Sequence, residues 1–335
     1  MNTLPEFIAS LSRPESYPHP VEHVQLIQTH ISYVLVAGDF VYKFKKPVDF
    51  GFLDFSTLEK RKACCERELL LNKRLCPDIY LNLVGVQKQA TTYSLIEGDS
   101  DIEYGIQMRR MPENMMMGNV IARKELDRTH IDRIVEVLAP FYRGAESNEE
   151  IDSFGTAQSV GVNVLENFDQ TASFVDQGAL DGKQFQDIKA YAQAVLLDEK
   201  LFEDRIKAGR IRDCHGDLYS ANICLADKVY IYDCIEFNDR FRYNDVTCDI
   251  AFLAMDLDYH GLEDLSNYCI DRFVAHTEDP GVYDLLDFYK CYRAYVRGKI
   301  GLFTAADPQV TEEVRQSSLE SASRYFDLAH RYTKK

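Results

Sequence analysis

Apolar and polar residues alternate with period two over residues 23–46, HVQLIQTHISYVLVAGDFVYKFKK, which predicts two or three antiparallel strands. Ala37-Gly38-Asp39 reads as a tight turn between ISYVLV and FVYKFKK, and Pro47, lacking an N–H for the ladder, ends the last strand. Ser56-Thr57-Leu58-Glu59 has the capping-box pattern, with Ser56 as N-cap and Glu59 at the third helical position. It opens a helix expected to reach about Leu75 and to stop before Pro77. LNLVGVQ (81–87) and EYGIQMRR (103–110) are further strands, with TTYSLIE between them. From about residue 111 the period changes to 3.6. LDRTHIDRIVEVLAPFYRG and KQFQDIKAYAQAVLLDEKLFEDRIKAG (183–209) predict long amphipathic helices. Short strands return between Ile211 and Tyr232, and helices are expected over 245–259, 262–277, 280–304 and 309–334. The pattern predicts an α+β chain. A small antiparallel-sheet lobe with one helix covers residues 1–110, a larger and mainly helical lobe covers 111–335, and the boundary falls near Met111–Pro112.

Composition narrows the possible partners. The 335 residues suffice for about two domains. Asp and Glu number 54 against 38 Lys and Arg, a net charge of −16. Such a surface repels a phosphate backbone and an anionic bilayer, so neither nucleic acid nor a membrane is expected as partner. The nine Cys, at 64, 65, 76, 214, 224, 234, 248, 269 and 291, include no C-x-x-C. They lie mostly in apolar runs, as small hydrophobes do in a reducing compartment, and predict neither a disulfide framework nor a zinc ribbon. The N-terminus lacks a basic segment followed by an apolar one, and no window approaches 18 apolar residues; a cytoplasmic protein is expected.

The chemistry concentrates in residues 211–251, IRDCHGDLYSANICLADKVYIYDCIEFNDRFRYNDVTCDIA. A strand reaching Asp213 feeds a tight loop that Gly216 permits, and Asp217 sits on that loop. Asn222 begins the next strand. A turn at Ala226-Asp227-Lys228 returns the chain through VYIY to Asp233, and this hairpin is expected to bring Asn222 and Asp233 side by side. An amide oxygen and a carboxylate are hard donors of the kind Mg²⁺ takes, its other positions being filled by water and phosphate oxygens. Asp217 then stands nearby, placed to accept a proton from a substrate hydroxyl.

His215-Gly216-Asp217 with Asn222 five residues on, Asp233 and Glu236-Phe237 after it, and Asp249-Ile250-Ala251 later form the order H-G-D-x-x-x-x-N, D-x-x-E-F, D-I-A. The run from Gly38 to Pro47 adds G-D-F-V-Y-K-x-K-K-P. Together these resemble the aminoglycoside phosphotransferase family, and most of all a branch of predicted small-molecule kinases within it, over residues from about 25 to 300. The resemblance implies a bilobal protein-kinase-like fold, ATP as phosphoryl donor, Mg²⁺, and a small-molecule hydroxyl as acceptor. Asp217 would be the base, and Asn222 and Asp233 the metal ligands. Lys43 matches the strand lysine that holds the α/β-phosphates; Lys45, two residues on and on the same strand face, is its rival. Glu68 matches the helix glutamate that orients this lysine, and its rival Glu66 faces about 200° away on a helix. IQMRRMP resembles the hinge. Met108 would guard the adenine pocket, and the backbone of Arg109 and Met111 would bond adenine.

Several features depart from the kinase pattern. No G-x-G-x-x-G precedes these motifs, and Gly38 is the only Gly between 21 and 45, so the turn near Thr29–Ser32 would have to cap the phosphates. Asp49-Phe50-Gly51 spells D-F-G but precedes the catalytic loop by over 160 residues, and is read as coincidence. No G-x-x-x-x-G-K-[ST] occurs, so a P-loop kinase domain is not expected within these residues. His215 is expected to pack under the loop and bond backbone, and Asp249 to anchor the loop by accepting N–H groups. Glu236 and Asp239 read as solvating the loop. Arg293, Arg297 and Lys299 read as a solvated helix face, the alternative being a cleft wall for an anionic group. Met115–Met117 reads as core or loop filler. A protein Ser/Thr kinase and a non-catalytic nucleotide-binding module share these motifs. The short run from Asp233 to the next helical pattern leaves little platform for a peptide and favours small molecules.

Overall fold

The computed structural model describes residues 4–90 and 92–334. The chain forms two compact units. One takes in the chain up to Met116 together with Cys224–Asp239, and the other takes in Met117–Ile223 and the chain from Arg240.

In the first unit, α1 (Glu6–Leu11) precedes β1 (Val24–Gln28), β2 (Ser32–Ala37) and β3 (Phe40–Lys45), then α2 (Leu58–Asn72), β4 (Tyr80–Gln89), β5 (Thr92–Ile96) and β6 (Glu103–Arg109). The six strands make one sheet in the order β1-β2-β3-β6-β4-β5, with every pairing antiparallel. Strand alternation sorts β3 into two faces. Tyr42 and Phe44 join Ile8, Leu11, Leu35 and Val86 in one core. Lys43 and Lys45 face the other way, toward α2, where Cys65, Cys76, Ile79, Tyr80 and Ile106 make a second apolar cluster. The helix cap differs from expectation. Thr57, not Ser56, is the N-cap, accepting from the Lys60 amide at 3.3 Å, while Ser56 gives its hydroxyl to Asp54 at 2.6 Å. The helix also ends at Asn72, three residues short of Leu75. The Asn72 amide turns back to the Glu68 carbonyl, and its Oδ1 accepts from the Cys234 N–H.

The second unit is mainly helical. It contains α3 (Met117–Ala122), α4 (Arg128–Gly144), α5 (Glu149–Asp152), α6 (Ala157–Thr171), α7 (Gly182–Leu196), α8 (Glu199–Lys207) and β7 (Ile211–Asp213). The ribbon β8 (Ile223–Leu225) and β9 (Val229–Ile231) follows as the chain re-enters the first unit. Back in the second unit come β10 (Tyr243–Asp245), α9 (Val246–Tyr259), α10 (Glu263–Thr277), α11 (Val282–Ala306) and α12 (Glu312–Tyr332). β10 pairs antiparallel with β7, Tyr243 opposite Asp213. The long helix expected over 183–209 is two helices. The chain breaks at Leu197 and Asp198, where Asp198 leaves helical geometry (φ −87°, ψ 72°) and Leu197 is exposed. The core gathers Phe168, Phe185, Phe252, Phe288, Tyr295 and Phe326 from five of the helices. α9 is buried from Val246 through Asp258, so its polar residues point at neighbouring chain rather than water. All nine cysteines are buried, and none is in a disulfide. Among the described residues no helix is long and apolar enough to cross a membrane.

Candidate active site

In the first unit, two lysines converge on one carboxylate. Lys43 Nζ donates to Glu68 Oε1 at 2.9 Å and to Asp233 Oδ1 at 2.6 Å. Lys45 Nζ donates to Glu68 Oε2 at 2.7 Å and also bonds Glu236 Oε1. The rivals are therefore not alternatives. Both lysines hold Glu68, but only Lys43 also holds Asp233. Glu66 is on the outer side of α2, with its side chain 55% exposed and 4.0 Å from Lys62. Glu68 is fully buried, and burial alone would raise its pKa; Lys43 and Lys45 outweigh that and hold it down at about 2. Burial likewise pulls both lysines down, and their acidic neighbours outweigh it, so both stay protonated. Glu236 does not solvate the loop as expected. It is 5% exposed, and burial raises its pKa in spite of Lys45. Asp239 pairs with Arg67.

Asp233 is held by its backbone. Its φ is +62°, a left-handed conformation that costs a residue with a Cβ on the order of 1 kcal/mol. Its N–H donates to the Tyr80 hydroxyl at 3.2 Å, the next N–H donates to Asn72 Oδ1 at 2.9 Å, and Cys76 Sγ bonds the Ile231 carbonyl at 2.7 Å. The fold thus keeps a strained residue where its carboxylate meets Lys43 and is still 43% exposed.

On β6, Met108 stands opposite Val41 and Tyr80, half-buried against the α2 cluster that Met111 also touches. The Arg109 N–H donates to the Ile79 carbonyl at 2.8 Å. At the Thr29–Ser32 turn, the amides of Ile31 and Ser32 both point at Thr29 Oγ1, at 3.3 and 2.9 Å, and so serve the turn itself. Asp49 and Gly51 form a local turn, the Gly51 N–H reaching Asp49 Oδ1 at 2.9 Å.

In the second unit, the loop after β7 is tied to α9 at two points. Asp249, in the first turn of α9, accepts the N–H of His215 at 2.6 Å and that of Gly216 at 3.0 Å, as expected. It also accepts the Tyr142 hydroxyl at 3.0 Å and has Arg293 at 3.6 Å. Asp256, two turns further, accepts the Ser220 N–H at 3.0 Å. Gly216 has φ +86°, the conformation that makes Gly the residue for this turn. His215 is fully buried, and its Nδ1 accepts the Asp217 N–H at 3.3 Å, which places it under the loop. Asn222 donates its amide hydrogens to the Asp217 carbonyl and to Asp217 Oδ2, both at 2.9 Å. That orientation leaves Asn222 Oδ1, a hard oxygen, as the acceptor atom for a cation. Upstream, Asp213 is paired with the buried Arg242 at 2.5 Å.

Each unit offers an oxygen of the type Mg²⁺ takes when phosphate oxygens complete its shell. Among the described residues no group of three His, Cys, Asp or Glu side chains could hold a metal, whereas a nucleotide-borne Mg²⁺ needs only one or two protein oxygens. Asn222 Oδ1 and the exposed part of the Asp233 carboxylate are of that type.

No family model matches the chain. An uncharacterised protein of Mycobacterium tuberculosis (strain ATCC 25618 / H37Rv) is 34% identical over 287 residues, which are 84% of this chain and 56% of that protein. The chain thus spans about half the length of the curated relatives it matches. A spectinomycin phosphotransferase solved with ADP and spectinomycin superposes with a TM-score of 0.50 at 11% identity, covering 95% of each chain. The chain has that protein's fold. The α+β, protein-kinase-like architecture expected from the sequence is the observed one. A choline/ethanolamine kinase family protein from Mesorhizobium loti aligns over 97% of each chain, at 12% identity and a TM-score of 0.49. Within this kinase-like fold, Glu236 and Lys45 are the site residues whose contacts sequence reasoning missed. The available signal was the D-x-x-E spacing from Asp233, with Lys45 on the same strand face as Lys43.

Proposed function

We propose that this protein is an ATP-dependent phosphotransferase acting on a hydroxyl of a small molecule, in the cytoplasm. The observation that carries the reading is the Lys43 ammonium shared by Glu68 and Asp233, the lysine–glutamate–metal-aspartate contact that nucleotide positioning requires. Support comes also from the Asp217–Asn222 hydrogen bond in the second unit and from the shared fold with a phosphotransferase solved with ADP. Lys43 takes the α/β-phosphates, and Glu68 holds it in place. Met108 borders the adenine site. The Arg109 carbonyl, its own N–H being engaged by Ile79, and the Met111 N–H meet the adenine edge. Asn222 Oδ1 and Asp233 hold Mg²⁺, whose charge offsets that of the β- and γ-phosphates. Asp217 orients the acceptor hydroxyl and takes its proton as the new O–P bond forms and the bond from γ-phosphorus to ADP breaks. The residues mostly position and neutralise, because the transferred group needs little covalent help. Only twelve residues lie between Asp233 and the start of α9 at Val246, which favours a small acceptor over a peptide.

The test joins titration calorimetry with a non-hydrolysable ATP analogue, with and without Mg²⁺, to an ADP-release screen over hydroxyl metabolites and aminoglycosides. Asp217→Asn is expected to lower turnover by about 10²–10⁴-fold while leaving the analogue's affinity essentially unchanged. Normal turnover in that variant removes Asp217 from the role. Metal-independent binding without turnover identifies a sensor instead.

A further inference from the structure

Each fully buried cation of the second unit faces a carboxylate. Arg205 lies on Asp245 and Asp279, Arg242 on Asp213, Lys290 on Asp258 and Arg293 on Asp249. The rule follows from the cost of desolvating a charge without a counter-charge. Arg297, one turn beyond Arg293 on α11 and only partly buried, differs from them. Its guanidinium carbon sits 4.8 Å from the centroid of the Tyr219 ring and 5.8 Å from that of Tyr325. Its Nε is buried without an acceptor, and among the described residues no carboxylate pairs with it. The side chain as a whole is only half-buried, so solvent-borne groups can reach it.

The setting keeps this arginine charged and still. Burial pulls its pKa down, but Tyr219, Tyr325 and Asp217 outweigh that and hold it above the usual range. Tyr219 stacks on Phe252 at 5.2 Å and 7°, and the Arg293 guanidinium lies 4.8 Å from the Phe252 centroid. Each arginine thus touches one ring of a stacked aromatic pair, and one of the two rings belongs to the catalytic loop, two residues past Asp217. Cation–π contacts soften the desolvation of a guanidinium, and the Tyr325 hydroxyl takes one hydrogen of the fork, but the Nε–H finds no acceptor. The carboxylate whose field reaches Arg297 is that of Asp217, the proposed base. Lys299, by contrast, is turned to Gln170 Oε1 at 2.8 Å.

We propose that Arg297 binds an anionic group of the acceptor, a carboxylate or a phosphate, so that the molecule phosphorylated is an anionic alcohol rather than an amino sugar or an amino alcohol. This rests on the phosphotransferase reading above. The planar fork suits a two-oxygen anion, and the aromatic ladder pre-sets its orientation, which lowers the ordering cost of binding. In a chain with 54 acidic residues, none is paired with this cation; a cationic acceptor would meet repulsion there.

ADP release is measured for glycerate, glycerol 3-phosphate, glycerol, ethanolamine and choline, with wild type, Arg297→Gln and Arg297→Lys. In parallel, inorganic phosphate and acetate are titrated in thermal melts of the same proteins. An anionic alcohol is expected to have the highest kcat/KM, and the glycerate and glycerol 3-phosphate arms separate carboxylate from phosphate. R297Q is expected to raise its KM about tenfold or more with kcat within about threefold, and R297K to recover part of the loss. Phosphate or acetate should raise the Tm of wild type but not that of R297Q. Preference for choline or ethanolamine, an unchanged KM in R297Q, or the absence of any anion effect on turnover or Tm in wild type overturns the proposal. Mg²⁺-dependent analogue binding, which does not involve Arg297, reports the kinase reading separately. Its loss sinks that reading, and its presence without an anion effect sinks this inference alone.

Discussion

At the scale of single residues, Glu68 is the centre of the first unit's charge network. Two ammonium groups share one buried carboxylate, at 2.9 and 2.7 Å, and each also holds a second acid. Removing one member of such a set leaves buried charge uncompensated. Glu68→Gln is therefore expected to cost about 3–5 kcal/mol in denaturant unfolding, whereas Glu66→Gln, on an exposed side chain, stays within about 0.5 kcal/mol. The pH dependence follows from the same contacts. Glu68 is held at about 2 against an ordinary 4.5, so its contribution is complete above 4.5 and is lost as pH falls toward 2. The stability difference between wild type and E68Q should be flat from neutral pH to about pH 5 and then shrink. A difference that persists unchanged at the acid end would mean that Glu68 is not the ionised partner. Spacing on a helix put Glu66 and Glu68 on different faces; which face meets the sheet depends on how α2 packs.

At the scale of elements, α9 works as a strut. It is apolar enough to be buried along its length, and it displays Asp249 and Asp256, seven residues apart, to the loop that carries Asp217 and Ser220. The aspartate of D-I-A, and Asp256 two turns on, thus hold backbone rather than solvent. α11 and α12 pack against each other in the same unit. A Cβ at Gly298 would lie 2.7 Å from the Phe326 ring, which is itself fully buried. Gly298→Ala is expected to lower stability by about 1–3 kcal/mol in thermal or denaturant unfolding, since a packed ring cannot yield without disturbing its neighbours. The double variant with Phe326→Leu should show coupling, costing less than the sum of the two single changes. Strict additivity would place the two residues out of contact. Periodicity located α9 to α12 to within a few residues, but it merged α7 and α8, because the apolar pattern runs on through a break made by two residues.

At the scale of the whole chain, nine buried thiols sit inside a protein with a net charge of −16. Burial raises the thiols out of their reactive range, Cys65, Cys248 and Cys269 to about 12, so little thiolate exists at neutral pH. In the native protein at neutral pH, Ellman's reagent is expected to find no fast-reacting thiol, and in guanidinium to count all nine. Rapid native labelling of even one would show a cysteine open to solvent. The absence of C-x-x-C pointed the same way, but burial of each thiol is a property of the packed cores.

The sequence by itself determined the α+β class, the change of period near residue 111, and most of the strands and the last four helices, because apolar spacing and turn chemistry act over a few residues. Loop spacing brought out Asp217, while Lys43 and Glu68 came from the family resemblance, with Lys45 and Glu66 left as rivals. What only the tertiary structure decided is which charges meet across long stretches of chain. Lys45 found Glu236 191 residues away, Asp249 took the loop amides, and Arg293 was drawn into the core while Arg297, one turn on, was left among tyrosines without an acid. A charge on a helix reads the same in sequence whether it faces water or a buried partner. The difference lies in the desolvation cost, which exists only once the other elements have closed around it.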